Sequence, residues 1–208
     1  MKPDKIFLDL DGVLVDFEEG VYNTIKKLYK DESLFNSLTE EDKKNVAMMF
    51  LNMEQEGKTK SIIAEFLKDS ETKETLRTLL GKEDNWWGNL SWMPDGKELW
   101  DYIKRYDPTI LTSGFHKTNS TEGKKVWVKN HLGPNVKIIV ADNKGDFAKS
   151  NYLLVDDRQF VLDGFIEAGG DGLLHKNSKD TIKNLDKIYT ITESFKYIKS
   201  FKNWNIND

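Results

Sequence analysis

Asp9 and Asp11 are the first residues of the chain whose type and spacing could do chemistry. They follow the apolar run Ile6-Phe7-Leu8, and side chains two apart on extended backbone project to one face, so two like charges share one site. Crowding such a pair is costly unless a cation joins them or one carboxyl keeps a proton. A second acidic pair, Asp156-Asp157, follows the apolar run Tyr152-Leu153-Leu154-Val155 in the same manner. A third run ends in Leu111-Thr112-Ser113-Gly114, where hydroxyls and freed backbone N–H groups can hold phosphate oxygens. Lys144, in Ala141-Asp142-Asn143-Lys144-Gly145, follows a fourth run and could neutralise a transferring phosphoryl group, with Lys149 competing for that role.

Such groups work together only if the chain brings four run ends to one place. Lys5 to Leu10, Thr109 to Thr112, Val136 to Val140, Tyr152 to Val155 and Gly172 to Leu174 read as strands, and the apolar run Ile6-Phe7-Leu8 in the first is of the kind seen in strands buried on both faces. Helices over Lys97 to Tyr106, Glu122 to Leu132 and Arg158 to Ala168 alternate with them. That alternation predicts an α/β fold, a Rossmann-like parallel sheet flanked by helices, in which all strands end on the same edge. Ligands of open α/β sheets bind at that edge.

Between the first and second strands the pattern changes. Val21, Ile25 and Leu28, then Val46, Met49, Phe50 and Met53, then Ile62, Ile63, Phe66 and Leu67 recur at helical spacing. Residues 1–16 and 92–208 therefore read as the α/β core, and residues 17–91 as a helical cap inserted after the first strand, positioned to act as a lid. Phe17, Trp86 and Trp87 could flank the cleft and stack on a nucleobase. One more amphipathic helix is expected in the tail around Ile191, Phe195, Ile198 and Phe201.

The oxygen-rich acidic set suits a hard cation, and magnesium takes one or two carboxylates with water and phosphate oxygens completing its shell. Asp156, nearer the strand end, is the expected ligand, with Asp157 behind it. Composition narrows the partners further. In 208 residues, 31 basic side chains face 35 acidic ones, a formal charge of −4, which lacks the basic face a duplex nucleic-acid binder needs. With 38% hydrophobic and 32% charged residues the chain can bury a core, and no apolar stretch approaches a membrane span. There is no cysteine, which excludes disulfides, thiolate metal sites and a cysteine nucleophile and fits a reducing cytoplasm.

Taken in order, the motifs resemble those of the haloacid dehalogenase superfamily of phosphotransferases. Phe7-Leu8-Asp9-Leu10-Asp11-Gly12-Val13-Leu14-Val15-Asp16-Phe17 is similar to its first motif, closest to the 5′(3′)-deoxyribonucleotidase branch, and Leu153-Leu154-Val155-Asp156-Asp157-Arg158 to its fourth. The resemblance covers residues 3 to 17 and 92 to 175; the branch usually has Pro where this chain has Gly114. It implies a Mg²⁺-dependent phosphatase acting through an aspartyl-phosphate on small monophosphates, foremost deoxyribonucleoside monophosphates. Asp9 would be the nucleophile and a metal ligand. Asp11 would protonate the leaving alkoxide and then deprotonate water, lending its backbone carbonyl to the metal. Thr112, Ser113 and Lys144 would hold phosphate, Asp156 would bind the metal, and Asp157 would stand behind it.

Other readings use parts of the same set. A sugar phosphate or a nucleic-acid 3′-phosphate would need the same core with a different cap. A non-catalytic phospho-receiver would keep the acidic pocket, although such modules lack an insert of this size. An Asp-x-Asp glycosyltransferase site would explain Asp9 and Asp11 and leave Thr112, Lys144 and Asp156-Asp157 without a role.

Overall fold

A computed structural model describes residues 2–56, 60–82, 85–116 and 118–190. The helix expected around Ile191 to Phe201 lies outside the described residues. By its internal contacts the chain divides into two compact units. One gathers Met1–Leu14, Met93–Ser113 and the chain from Asn135 onward; the other gathers Val15–Trp92 and Gly114–Pro134.

The first unit is built on a parallel sheet of five strands, β1 (Lys5–Leu8), β2 (Thr109–Thr112), β3 (Ile138–Val140), β4 (Tyr152–Asp156) and β5 (Asp171–Leu174), in the order β3-β2-β1-β4-β5. Register pairs Leu8 with Ile110 on one side and with Val155 on the other, so the three central strands end on one edge, with β2 and β4 running slightly past the end of β1. The chain builds outward from β1 through β2 to β3, then returns to β4 beside β1. That reversal makes the β1/β4 boundary the topological switch point, the place where open α/β sheets leave a crevice at their strand ends.

Side-chain alternation explains why both sheet faces are apolar. Phe7, Leu111 and Leu154 point to one face and pack with Leu162 and Phe165 of α8 (Gln159–Glu167) in a single buried cluster. Residues of opposite parity, Ile6, Leu8, Ile110, Leu153 and Val155, are equally buried on the other face. The remaining helices of this unit are α6 (Gly96–Ile103), which buries Leu99, Trp100 and Ile103, and α9, residues 178–190. These two are joined: the Ser178 hydroxyl donates to Glu98 at 2.6 Å and Tyr106 stacks on Tyr189 at 4.2 Å. Helix α9 starts where Asn177 accepts from the Asp180 N–H.

The second unit is helical. It contains α1 (Phe17–Lys30), α2 (Glu32–Asn36), α3 (Glu40–Glu56), α4 (Lys60–Lys68), α5 (Ser70–Lys82) and a 3-10 turn at Trp86–Asn89. Asp16 caps α1 by accepting from the Glu19 N–H, and Thr39 accepts from the Asp42 N–H at the start of α3. Helix α5 runs through Gly81 to Lys82.

Helix α7 (Ser120–His131), which the sequence pattern places with the α/β core, clusters with the helical unit. Tryptophan packing accounts for this. The Trp127 indole N–H donates to the Leu90 carbonyl at 2.8 Å, its ring lies 4.8 Å from Trp92, and Gly123 lets the helix approach Trp87 closely. A Cβ on Gly123 would meet the Trp87 Cβ at 2.4 Å, an atom fixed to backbone that cannot swing aside. Gly123→Ala is therefore expected to destabilise by about 1–2 kcal/mol, because overpacking outweighs the roughly 1 kcal/mol of helix propensity that alanine adds. Urea unfolding would read this as a lowered midpoint at unchanged slope.

Candidate active site

Strand ends deliver the site. β1 stops at Leu8, and the Asp9 N–H still donates to the Val155 carbonyl at 2.9 Å, so Asp9 continues the ladder beside β4. The chain then turns. Gly12 has φ 74°, a left-handed conformation that glycine adopts without strain, and the Leu14 N–H closes the turn on the Leu10 carbonyl at 2.8 Å. On the neighbouring strand, Asp156 is the last residue of β4, fully buried, with its carboxylate accepting from the Arg158 N–H at 2.9 Å.

Lys144 joins these two carboxylates. It sits on a 3-10 turn, Lys144–Phe147, whose start is fixed by Asn143 accepting from the Gly145 N–H. Its ammonium lies 2.7 Å from Asp9 Oδ1 and 2.6 Å from Asp156 Oδ2, with all three side chains at most 2% exposed. Lys149 is exposed, with its ammonium over the Tyr152 ring. Of the two lysines the sequence left open, the fold brings Lys144 to the acidic pair.

Burial pushes the Asp9 carboxyl up, but Lys144, Arg158 and the Leu10 N–H together outweigh that effect and hold it below the ordinary carboxylate value. Asp156 goes the other way. Burial and the Asp9 charge push it up to about 6 against the pull of Lys144. One carboxylate is thus kept ionised while its neighbour is poised to take a proton.

Arg158 is a residue to which the sequence reading gave no role. Its guanidinium lies 3.6 Å from Asp9 Oδ2, 3.6 Å from Asp156 Oδ1 and 3.9 Å from Asp157 Oδ1. The available signal was a cation two positions after Asp156, beside an excess of carboxylates.

Carboxylate oxygens of Asp9, Asp156 and Asp157 lie within 4.8 Å of one another. Asp157, expected behind Asp156, contributes an oxygen to this group, since β4 ends at Asp156 and strand alternation no longer governs the next residue. Magnesium binds oxygen at about 2.0–2.1 Å, so ligands on opposite sides of the ion stand roughly 4 Å apart, comparable to this spread. The donors are all hard oxygens, and the buried Asp9 Oδ2 has no hydrogen-bond partner among the described residues. The set fits a hard divalent cation. Asp11 is half-buried and its carboxylate is not one of the three; its expected metal contact was through the backbone carbonyl. Thr112 is buried at the end of β2, with Ser113 following it, level with these groups on the same edge of the sheet.

The aromatic residues expected against a base lie in the helical unit. Phe17 stacks on Trp87 at 5.5 Å and 16°, and Trp86 meets Trp87 edge-on at 4.8 Å. Trp86 and Trp87 are buried, and the Trp86 indole donates to the Thr24 hydroxyl at 2.8 Å.

The sequence matches no protein-family model and no curated protein. Solved structures do share its fold. A hydrolase from Streptococcus pneumoniae TIGR4 aligns with a TM-score of 0.51 at 13% identity, over 89% of this chain and 100% of that one. A HAD-superfamily hydrolase from Ehrlichia chaffeensis aligns with a TM-score of 0.51 at 16% identity, over 91% and 99%. This chain shares the α/β fold of those hydrolase structures, and its acidic cluster lies at the switch point of the sheet.

Proposed function

We propose that this protein is a magnesium-dependent phosphomonoester hydrolase that acts through an aspartyl-phosphate. One observation carries the reading: the Lys144 ammonium bridges Asp9 and Asp156 at 2.7 and 2.6 Å, buried at the switch point of a parallel sheet. A carboxylate attacks a phosphate dianion only where positive charge cancels their repulsion, and this arrangement puts a fixed cation on the nucleophile.

Asp9, held ionised by Lys144 and Arg158, attacks phosphorus as the ester P–O bond breaks. Asp11 gives its proton to the departing alkoxide. In the second half Asp11 takes a proton from water, the hydroxide attacks phosphorus, and the Asp9 carboxylate leaves with release of inorganic phosphate. Thr112 and Ser113 donate to the phosphate oxygens from the end of β2. Asp9, Asp156 and Asp157 would hold magnesium, with the Asp11 carbonyl as a further donor, and the bound ion supplies additional positive charge for the phosphoryl group.

Deoxyribonucleoside monophosphates are the proposed substrates, and cytoplasm the proposed location. The substrate class rests on the likeness of Asp9-Leu10-Asp11-Gly12-Val13-Leu14 and its flanks to the deoxyribonucleotidase branch, and the location on the absence of cysteine. Among the described residues no helix is long and apolar enough to cross a membrane. The test is release of inorganic phosphate from a panel of deoxy- and ribonucleotides, sugar phosphates and 3′-phosphorylated oligonucleotides, with and without Mg²⁺. Mg²⁺-dependent release with deoxyribonucleotides fastest supports the whole reading; sugar phosphates as the best substrates would retain the chemistry and reject the substrate class.

A pH dependence follows from Asp156. Proton and cation compete for its carboxylate, so Mg²⁺ affinity is expected to hold above pH 6 and to fall by up to about tenfold per unit below it. Calorimetric titration with Mg²⁺ between pH 5 and 8 reads this directly; an affinity flat across that range contradicts a raised Asp156.

A further inference from the structure

We infer that Arg158 is a displaceable internal counter-cation that competes with the divalent cation for the same carboxylates and so sets how tightly that cation binds. The inference rests on the metal site read above and concerns a residue that reading does not use as a ligand or a reacting group.

The two cations of the site are held very differently. Lys144 is buried and makes contacts of 2.7 and 2.6 Å, short charge-assisted hydrogen bonds that fix it between Asp9 Oδ1 and Asp156 Oδ2. Arg158 approaches the remaining oxygens, Asp9 Oδ2, Asp156 Oδ1 and Asp157 Oδ1, at 3.6, 3.6 and 3.9 Å. Those distances exceed the roughly 3.2 Å limit of a good N–H···O bond, so the guanidinium is held by charge and not by a bidentate fork. Its side chain is 40% exposed, and the Phe160 ring, itself 71% exposed, has its centroid 5.6 Å from the guanidinium carbon. Arg158 thus neighbours the carboxylates, an aromatic ring and solvent.

The consequence is electrostatic. The three residues Arg158 pairs with are the same three whose oxygens form the candidate cation site. A divalent ion there would face a like charge a few ångströms away, so binding must move the guanidinium away from the carboxylates. Lys144, engaged through different oxygens of Asp9 and Asp156, can remain in place. Part of the ion's binding free energy is then used to displace Arg158, which weakens the measured affinity.

The experiment is calorimetric titration of the full chain with MgCl₂ for the wild type, Arg158→Gln and Arg158→Lys, together with thermal unfolding of each in EDTA and in Mg²⁺. Arg158→Gln is expected to bind Mg²⁺ about tenfold more tightly. It should melt lower than wild type in EDTA, where its carboxylates lack their counter-charge, and gain more from added Mg²⁺. Arg158→Lys, which keeps a charge, should lie between the two. A circular dichroism spectrum matching wild type certifies the fold of each variant. Unchanged or weaker Mg²⁺ affinity in a folded Arg158→Gln overturns the inference while leaving the metal site intact. No Mg²⁺ binding by the wild type or either variant overturns the metal site, and the inference with it.

Discussion

Asp9→Asn is expected to lower phosphate release by about 10⁴-fold or more, because the amide cannot form the phosphorylated intermediate. The protein should nonetheless fold, at a moderate loss of stability, since the ionised Asp9 is favoured by Lys144. The substitution keeps the side chain's shape and removes one of two like charges that share a buried site, while Lys144 retains Asp156 as a partner at 2.6 Å. Asp156, freed from the Asp9 charge that helps push it up to about 6, should titrate lower in the variant. Steady-state kinetics with thermal unfolding separates the two effects. A folded Asp9→Asn variant with near-normal turnover is incompatible with a nucleophile at this position.

Lys144→Met is expected to be strongly destabilising. It leaves Asp9 and Asp156, buried and within reach of each other, without the ammonium that joins them. Removing one member of a buried ionic cluster costs about 3–5 kcal/mol, far more than breaking an exposed, solvent-screened pair such as Lys104 and Asp101. The loss should shrink as the pH falls through 6, where Asp156 takes up a proton, and should shrink again when Mg²⁺ is added. Activity should be lost in the same variant even where Mg²⁺ restores its stability, since the phosphoryl group would lack its fixed cation. Chemical unfolding at pH 5 and pH 8, each with and without Mg²⁺, tests the pattern. A loss under about 1 kcal/mol at pH 8 would mean that Lys144 is not structurally coupled to the acidic pair.

The parts of this site that could be read from sequence are those tied to strand ends. Strands buried on both faces appear as apolar runs, and the polar residues that end those runs, Asp9, Thr112 and Asp156, lie on one edge of a parallel sheet. Lys144 and Lys149 both follow β3 within a few residues, and nothing in their order distinguishes them. The structure does so through local geometry: Asn143 starts a tight turn that carries Lys144 inward, whereas Lys149 lies past its end. Arg158 carried only a weak signal, a single basic residue after an acidic pair, which has no distinguishing periodicity.

The membership of α7 was also beyond sequence pattern. Its amphipathic spacing and its place between β2 and β3 suit a sheet-packing helix, yet tryptophans at 86–92 and 127 and the close approach at Gly123 associate it with the helical unit. Pairings between large side chains distant in sequence decide such questions, and periodicity reports only that a face is apolar. The same holds for Phe17, Trp86 and Trp87, whose composition suggested a platform for a base and whose rings are packed against one another.

In the proposed reaction Asp9 forms a covalent bond to phosphorus. That bond is tested most directly by acid quench of the enzyme during turnover of a deoxyribonucleoside monophosphate with Mg²⁺, followed by borohydride reduction and peptide mass spectrometry. Homoserine, the product of reducing an aspartyl-phosphate, is expected at position 9 in the wild type and not in Asp9→Asn. Sustained phosphate release with Asp9 unmodified at every quench time, or reduction at a different carboxylate, would contradict that reaction.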